Sequence, residues 1–350
     1  VRTGQEDSFQ LNFDDFDPDL VKEAAHLGQS VNVARHLVNV PAGELDPSTY
    51  AAAVKKLFQN HSEVSVSVWD DKRLQKEKML LHYEVGKAAA AGPCLVKVSY
   101  KPKKAAKKAG KKLAVIGKGV TFDSGGLDIK PSAGMRLMKK DMGGSASTVG
   151  LAFLLAGSGF SHQADFYVPL AENAVSGNSF HPGDVITGRG GKSVEIHNTD
   201  AEGRLLLADS LALAAEQKPD LIIDMATLTG SMRVALGQKV AGYFSNSDEL
   251  AAGLAKSAHI TGDPAWRMPL VPEYKAMLGS SVAEMSNCAN SPFGGSITAA
   301  LFLEQFVGKV PWIHLDIYCW TEKGTGAFGE SGGTGQMVQA LGHFLTQQKW

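Results

Sequence analysis

Apolar residues recur along this chain in two rhythms. From Pro18 to Val40, the positions Leu20, Val21, Ala24, Leu27, Val31, Ala34 and Leu37 fall at helical spacing. Asp46 followed by Pro47 predicts a second helix reaching about residue 59, because aspartate caps and proline fits a first turn. Val64, Val66 and Val68 alternate and predict a strand, and residues 70–79 read as a short charged helix. Strand-like runs follow at 94–100 and 113–116. Beyond them the order is helix 144–155, strand 165–170, helix 201–216, strand 221–225, strand 240–244, helix 249–259, helix 296–307, strand 312–317 and a last helix near 335–345. The first 17 residues, polar and acidic, read as a loose lead-in.

Strands alternating with helices predict an α/β fold, a central mixed β-sheet sandwiched by helices. In such sheets the ligand site lies beyond the carboxyl ends of the strands. At 350 residues the chain is long enough for two domains or one large one, taking roughly 100–200 residues per domain. Hydrophobic residues make up 44% and charged residues 20%, which fits a globular protein with a sizeable core. The net charge of -1 gives no global pull toward nucleic acid or an anionic membrane. Cys94, Cys288 and Cys319 are far apart and odd in number, against a disulfide framework and for a reducing, cytoplasmic setting. No run of 18 apolar residues exists, and the start lacks the basic-then-apolar signal pattern. One local charge run stands out: KPKKAAKKAGKK carries seven lysines from Lys101 to Lys112. A solvated loop joining two strands accounts for it better than an anion-binding patch.

Three Gly-rich segments place charged residues just after apolar strands or at helix starts. LAVIGKGVTFDSGGLDIKPS carries Lys118, Asp123 and Lys130; LMKKDMGGSAS carries Asp141; EIHNTDAEGRLLLADSL carries Asp200, Glu202 and Arg204. Glycines beside carboxylates let backbone approach a ligand closely. Four carboxylates suit hard or borderline divalent ions such as Mn²⁺, Mg²⁺ or Zn²⁺, and their charge matches two dications. Lys118 would supply a nitrogen ligand only when neutral, while Lys130 would stay cationic and Arg204 offers a planar fork for an anion. Taken singly, Asp200 reads equally as a helix cap and Arg204 as a helix-surface residue. Other chemistries fall away. GRGGKS (Gly188–Ser193) lacks the earlier glycine of a phosphate loop and precedes a strand-like VEI. HExxH is absent. His197 reads as a core or supporting residue, not a ligand.

The run NTDAEGRLLLADSL, from Asn198 to Leu211, resembles the signature of the leucyl (cytosol) aminopeptidase family. GKGVTFDSGG with IK, KKDMGGSA, DMATLTGSMRVALG and GSITAALFLEQFV resemble the rest of its catalytic domain in the same order. The resemblance runs from about Leu27 to the C-terminus. It implies a metal-dependent aminopeptidase with two divalent ions per subunit (Zn²⁺ or Mn²⁺, with Co²⁺ also fitting). Asp123 and Glu202 would bridge them, with Asp200 on one metal and Lys118 and Asp141 on the other. Lys130 would be the electrophile, and Arg204 would hold a bicarbonate acting as general base. The Leu228 carbonyl would receive the substrate's free amine, and Met138, Thr227 and Gly230 would line the first side-chain pocket. Tyr318, with Trp320, stands beside that pocket where many members have small residues, and would narrow it. The resemblance further implies peptides with a free N-terminus as partners and a homohexamer built as a dimer of trimers. Residues 1–40 would be a lead-in and linker helix, the family's N-terminal domain being missing or reduced, and 41–350 the catalytic domain.

Two rivals stand against this. A two-metal phosphoesterase or carboxypeptidase is disfavoured because the cluster has neither several histidines nor phosphate-binding arginines. A DNA-binding protein on the same fold would use the lysine run, and its binding would weaken steeply with salt.

Overall fold

A computed structural model describes residues 16–103, 110–322, 329–347 and 350. Most of the acidic lead-in, and Lys104, Lys107 and Lys108 of the lysine run, therefore lie outside the described residues. The cap predicted at Asp46 holds, and a second one precedes the first helix. Asp17 accepts from the Asp19 amide at the start of helix Pro18–Asn39, and Asp46 accepts from the Thr49 amide at 2.8 Å to open helix Pro47–Phe58.

The main sheet has nine strands: β1 (Val64–Trp69), β2 (Cys94–Tyr100), β3 (Lys112–Gly117), β4 (Gly119–Asp123), β5 (Gln163–Asn173), β6 (Leu221–Ala226), β7 (Ala241–Ser245), β8 (Ala265–Arg267) and β9 (Trp312–Asp316). Their spatial order is β1-β2-β5-β3-β6-β9-β7-β8, with β4 continuing beside β5 where β3 leaves off. The four central strands β5, β3, β6 and β9 run parallel. Antiparallel pairing begins outward, at β2 against β5 and at β7 against β9. The sheet is thus mixed, as the sequence predicts.

Both faces are covered, and the two-residue period of the strands sorts their side chains between two cores. Leu113 and Val115 of β3, with Leu221, Ile223 and Met225 of β6, face one core; Ala114, Ile116, Ile222 and Ala226 face the other. Helices Pro18–Asn39, Gly143–Gly157 and Val338–Gln347 cover the first face, and Leu80–Gly86, Gly203–Glu216 and Gly295–Glu304 the second. Each fully buried Leu, Ile or Val contributes roughly 1.5–3 kcal/mol relative to exposure, so these two layers supply the main driving force. Helix Gly143–Gly157 lies especially close to the sheet: a Cβ on Gly144 would sit 2.1 Å from the Met225 carbonyl oxygen.

The structure departs from the sequence reading in short elements. β4 and helices Leu80–Gly86 and Gly230–Leu236 have no clear period of their own, and the helix expected from residue 201 begins at Gly203. Among the described residues, no helix is long and apolar enough to cross a membrane.

Candidate functional site

The carboxyl ends of the central strands converge on one crevice. Lys118 occupies the break between β3 and β4. Its buried Nζ lies 2.7 Å from Asp141 Oδ2 and 2.8 Å from Glu202 Oε1, and it donates to the Thr227 carbonyl at 3.0 Å. The helix carrying Glu202 crosses directly over this side chain. A Cβ on Gly203 would lie 2.4 Å from Lys118 Cε, so a larger residue there would have to push the lysine side chain off its partners. β4 delivers Asp123, whose Oδ1 accepts from the Gly125 amide and from Asn173 Nδ2, both at 2.9 Å. Gly125, at φ +89°, turns the chain back toward Lys130. Lys130 Nζ then lies 2.7 Å from Asp123 Oδ2 and pairs with Asp200 as well. Two ammonium groups are therefore interleaved with four carboxylates, each bridging two.

The balance of charge remains negative, and burial makes that costly. Burial, and then the neighbouring Asp123 charge, push Glu202 up to about 8. The same two causes raise Asp200. Burial acts to lower the Lys118 pKa, but Asp141, Glu202 and Asp123 outweigh it and hold the ammonium above the usual lysine range. Lys130 is raised likewise, by Asp123 and Glu202 against burial. Oxygen atoms of Asp123, Asp141 and Glu202 lie within 4.8 Å of one another. Asp141 Oδ2 and Glu202 Oε1 are buried without a hydrogen bond among the described residues, each facing only the Lys118 ammonium. Clustered, under-coordinated hard oxygens fit a divalent cation. Asp200 stands outside this tightest group and joins it through Lys130. It does not cap a helix either: the helix opens at Gly203 with Glu202 at the cap position, and Asp200 takes a 2.7 Å bond from its own amide to Asn198 Oδ1.

Arg204 is buried beneath the same turn. Its Nη1 donates to the Asn287 carbonyl at 2.7 Å, and its Nε has no partner among the described residues. Burial lowers its pKa. Thr227 donates to Asp141 Oδ1 at 2.8 Å. The amides of Leu228 and Thr229 donate to Asp316 Oδ1 at 3.1 and 3.2 Å. Gly230 opens the next helix with free space where a Cβ would be. Met138 begins a short 3-10 turn ending at Lys140, and Tyr318 follows β9 with its ring flanked by Lys140 and Arg233.

The seven charged residues singled out from sequence are thus brought together. Sequence reasoning missed the residues that hold them. Asn173 and Asn287 each tie separate turns together, Asp128 and Thr199 lock two loops, and Asp316 fixes the turn after β6. Asp128 and Thr199 sit inside the recognised runs, where a signal was present. Asn287 sits in a turn with no pattern around it. His197 pairs with Glu195, away from the cluster. Cys319 is buried with its thiol pushed up to about 12, which disables it as a nucleophile. After Gly188–Ser193 comes a strand, Ser193–Glu195, and not a phosphate-binding helix.

Comparison with known proteins finds a matching family model, curated relatives and solved structures. The model of the cytosol aminopeptidase family, catalytic domain, matches residues 32–342. A probable cytosol aminopeptidase of Nostoc punctiforme is 42% identical over 321 residues, covering 91% of this chain and 64% of the relative. Another, from Aquifex aeolicus, is 41% identical with the same two coverages. The chain therefore spans just under two thirds of these relatives' length. Among solved structures, the cytosol aminopeptidase of Coxiella burnetii superposes with a TM-score of 0.89 at 40% identity, over 95% of this chain and 71% of that one. The bottromycin maturation enzyme BotP, in complex with Mn, gives 0.89 at 36% identity, over 94% and 72%.

Proposed function

The chain belongs to the cytosol aminopeptidase family, and from that premise we propose that it hydrolyses single amino acids from the free N-termini of peptides. The observation that carries this reading is the crevice in which two lysines interleave with four largely buried carboxylates. Asp123, Asp141, Asp200 and Glu202, with Lys118 once neutral, would hold two divalent ions. Zn²⁺ and Mn²⁺ both suit this donor set, as does Co²⁺, and a solved relative is described with Mn. Such ions, when bound, lower the pKa of water between them and polarise a peptide carbonyl.

The chain's own residues supply the rest. Lys130, cationic between Asp123 and Asp200, is placed to donate to the developing oxyanion. The Leu228 carbonyl, in the turn after β6, would receive the substrate's amine, so a blocked N-terminus would be rejected. Met138, Thr227, Gly230 and Tyr318 line the first side-chain pocket. Arg204, with its unpartnered Nε, would hold bicarbonate as the general base. The reading includes a cytoplasmic homohexamer, a dimer of trimers, without membrane or nucleic-acid partners.

The test is hydrolysis of leucine p-nitroanilide after chelation and resupply of Mn²⁺, Zn²⁺ or Co²⁺, with Asp200→Ala as control. Activity that vanishes, returns with metal and is absent in the variant supports the reading. No cleavage of any free-amine substrate under any metal overturns it.

A further inference from the structure

The two lysines of the metal cluster are each matched by two carboxylates. A third lysine beside them is matched by none. Lys140 is 5% exposed, and its Nζ lies 4.4 Å from the centroid of the Tyr318 ring. Arg233, from the helix that Gly230 opens, places its guanidinium carbon 5.6 Å from the same ring, and Nη1 donates to the Tyr318 hydroxyl at 3.5 Å. Among the described residues, neither Lys140 nor Arg233 lies within ion-pair distance of a carboxylate.

These cations come from the two elements that carry Met138 and Gly230, which the aminopeptidase reading assigns to the first side-chain pocket. The Tyr318 ring lies between the two cations. A buried ammonium without a counter-ion is costly, and an aromatic face returns only about 0.5–2 kcal/mol of that. What the pocket lacks is an anion. Burial lowers the Lys140 pKa even with Asp141 acting against it, so an incoming anion would favour the charged form.

We propose that this pocket selects an acidic N-terminal residue, glutamate or aspartate, with Lys140 as the inner partner of its carboxylate and Arg233 as the outer one. The inference rests on the aminopeptidase reading above. It also requires rejection of lysine and arginine at the same position, since a lysine and an arginine side chain would face them.

The experiment compares kcat/KM for the p-nitroanilides of glutamate, aspartate, leucine and lysine on the metal-loaded full chain. Glutamate is expected to exceed leucine by about tenfold and lysine by about a hundredfold or more, the scale of one or two desolvated charge contacts. Arg233→Gln, at an exposed position, is expected to cut the glutamate-to-leucine ratio about threefold to tenfold, with a weaker salt dependence. Lys140→Met is expected to cut it further. Should that buried change prevent folding, Arg233→Gln alone decides. Leucine cleaved as fast as glutamate, or a ratio unmoved by Arg233→Gln, overturns the proposal and leaves the aminopeptidase reading standing. Absence of cleavage of all four substrates overturns both.

Discussion

Thr199 and Asp128 grip each other reciprocally. Asp128 Oδ2 accepts from the Thr199 amide at 2.7 Å, and Thr199 Oγ1 accepts from the Asp128 amide at 2.9 Å while donating to the Gly125 carbonyl at 2.7 Å. The loop that carries Asp123 and Lys130 is thereby tied to the turn that carries Asp200 and Glu202. Thr199→Val keeps the shape and removes the hydroxyl. It is expected to cost about 1–3 kcal/mol, the penalty for leaving buried polar groups unsatisfied. Metal affinity should fall with it, because the carboxylates lose their common frame. Denaturant unfolding and a Mn²⁺ titration check this; a titration curve identical to that of the parent protein would mean the loops are held by other bonds.

Asn287 has a parallel role on the far side of the turn. Its side chain accepts from the His197 amide at 2.8 Å and donates to the Asn198 carbonyl at 2.6 Å, while its own carbonyl holds Arg204. Asn287→Ala strands both backbone groups, at about 1–3 kcal/mol for each buried one. Thermal unfolding should shift down, and activity on a good substrate should drop at least tenfold, about 1.4 kcal/mol, through the displaced Asn198–Arg204 turn.

The pH dependence of stability has an identifiable contributor away from the metal cluster. His82 is fully buried, bonds through Nε2 to the Leu170 carbonyl, and burial lowers its pKa from 6.5 to about 4. The unfolded chain takes up a proton as pH falls below 6.5 and the folded chain does not, so stability is lost between those values. At about 1.4 kcal/mol per pKa unit, the loss approaches roughly 3 kcal/mol. Its neighbour Asp209, which accepts from the His82 amide, is pushed up to about 7 by burial and works in the opposite sense, losing stability as pH rises toward 7. His82→Gln keeps a donor for Leu170 and removes the titration. Unfolding midpoints measured from pH 4 to 7 should fall less toward acid in the variant than in the parent.

Gly144→Ala tests the close packing of helix Gly143–Gly157 on the sheet. Its added methyl would meet the Met225 carbonyl oxygen at 2.1 Å, a backbone atom that cannot swing aside. Overpacking of this kind costs about 1–3 kcal/mol. Because Met225 lies two residues before Thr227, activity should decline together with the melting temperature. An alanine variant with the parental melting temperature would show that the helix can shift without loss.

How much of this was written in the sequence depends on the range of the interactions. Long periodic elements such as Pro18–Asn39 and Cys94–Tyr100 are legible because their patterns are local. The sheet's mixed character is legible from element order, but the placement of β7 antiparallel to β9 is not, since nothing in either strand records its neighbour. The charged cluster is legible because glycine-rich turns flag it. Asn173, Asn287 and Asp316 are not: each is one polar residue whose role comes from partners 26 to 90 positions away. The Lys140–Tyr318 contact spans two elements and is likewise invisible before folding.

β6 lies between β3 and β9, and β9 comes last of the three in the chain. During synthesis, then, every carboxylate of the cluster and both lysines emerge well before the strand that brings Asp316 to the Leu228–Thr229 turn. Contacts so distant in sequence form slowly and late. A nascent chain would carry the full set of charged residues on the ribosome yet lack the finished crevice. The crevice is thus completed only once β9 has been made and Asp316 reaches the Leu228–Thr229 turn.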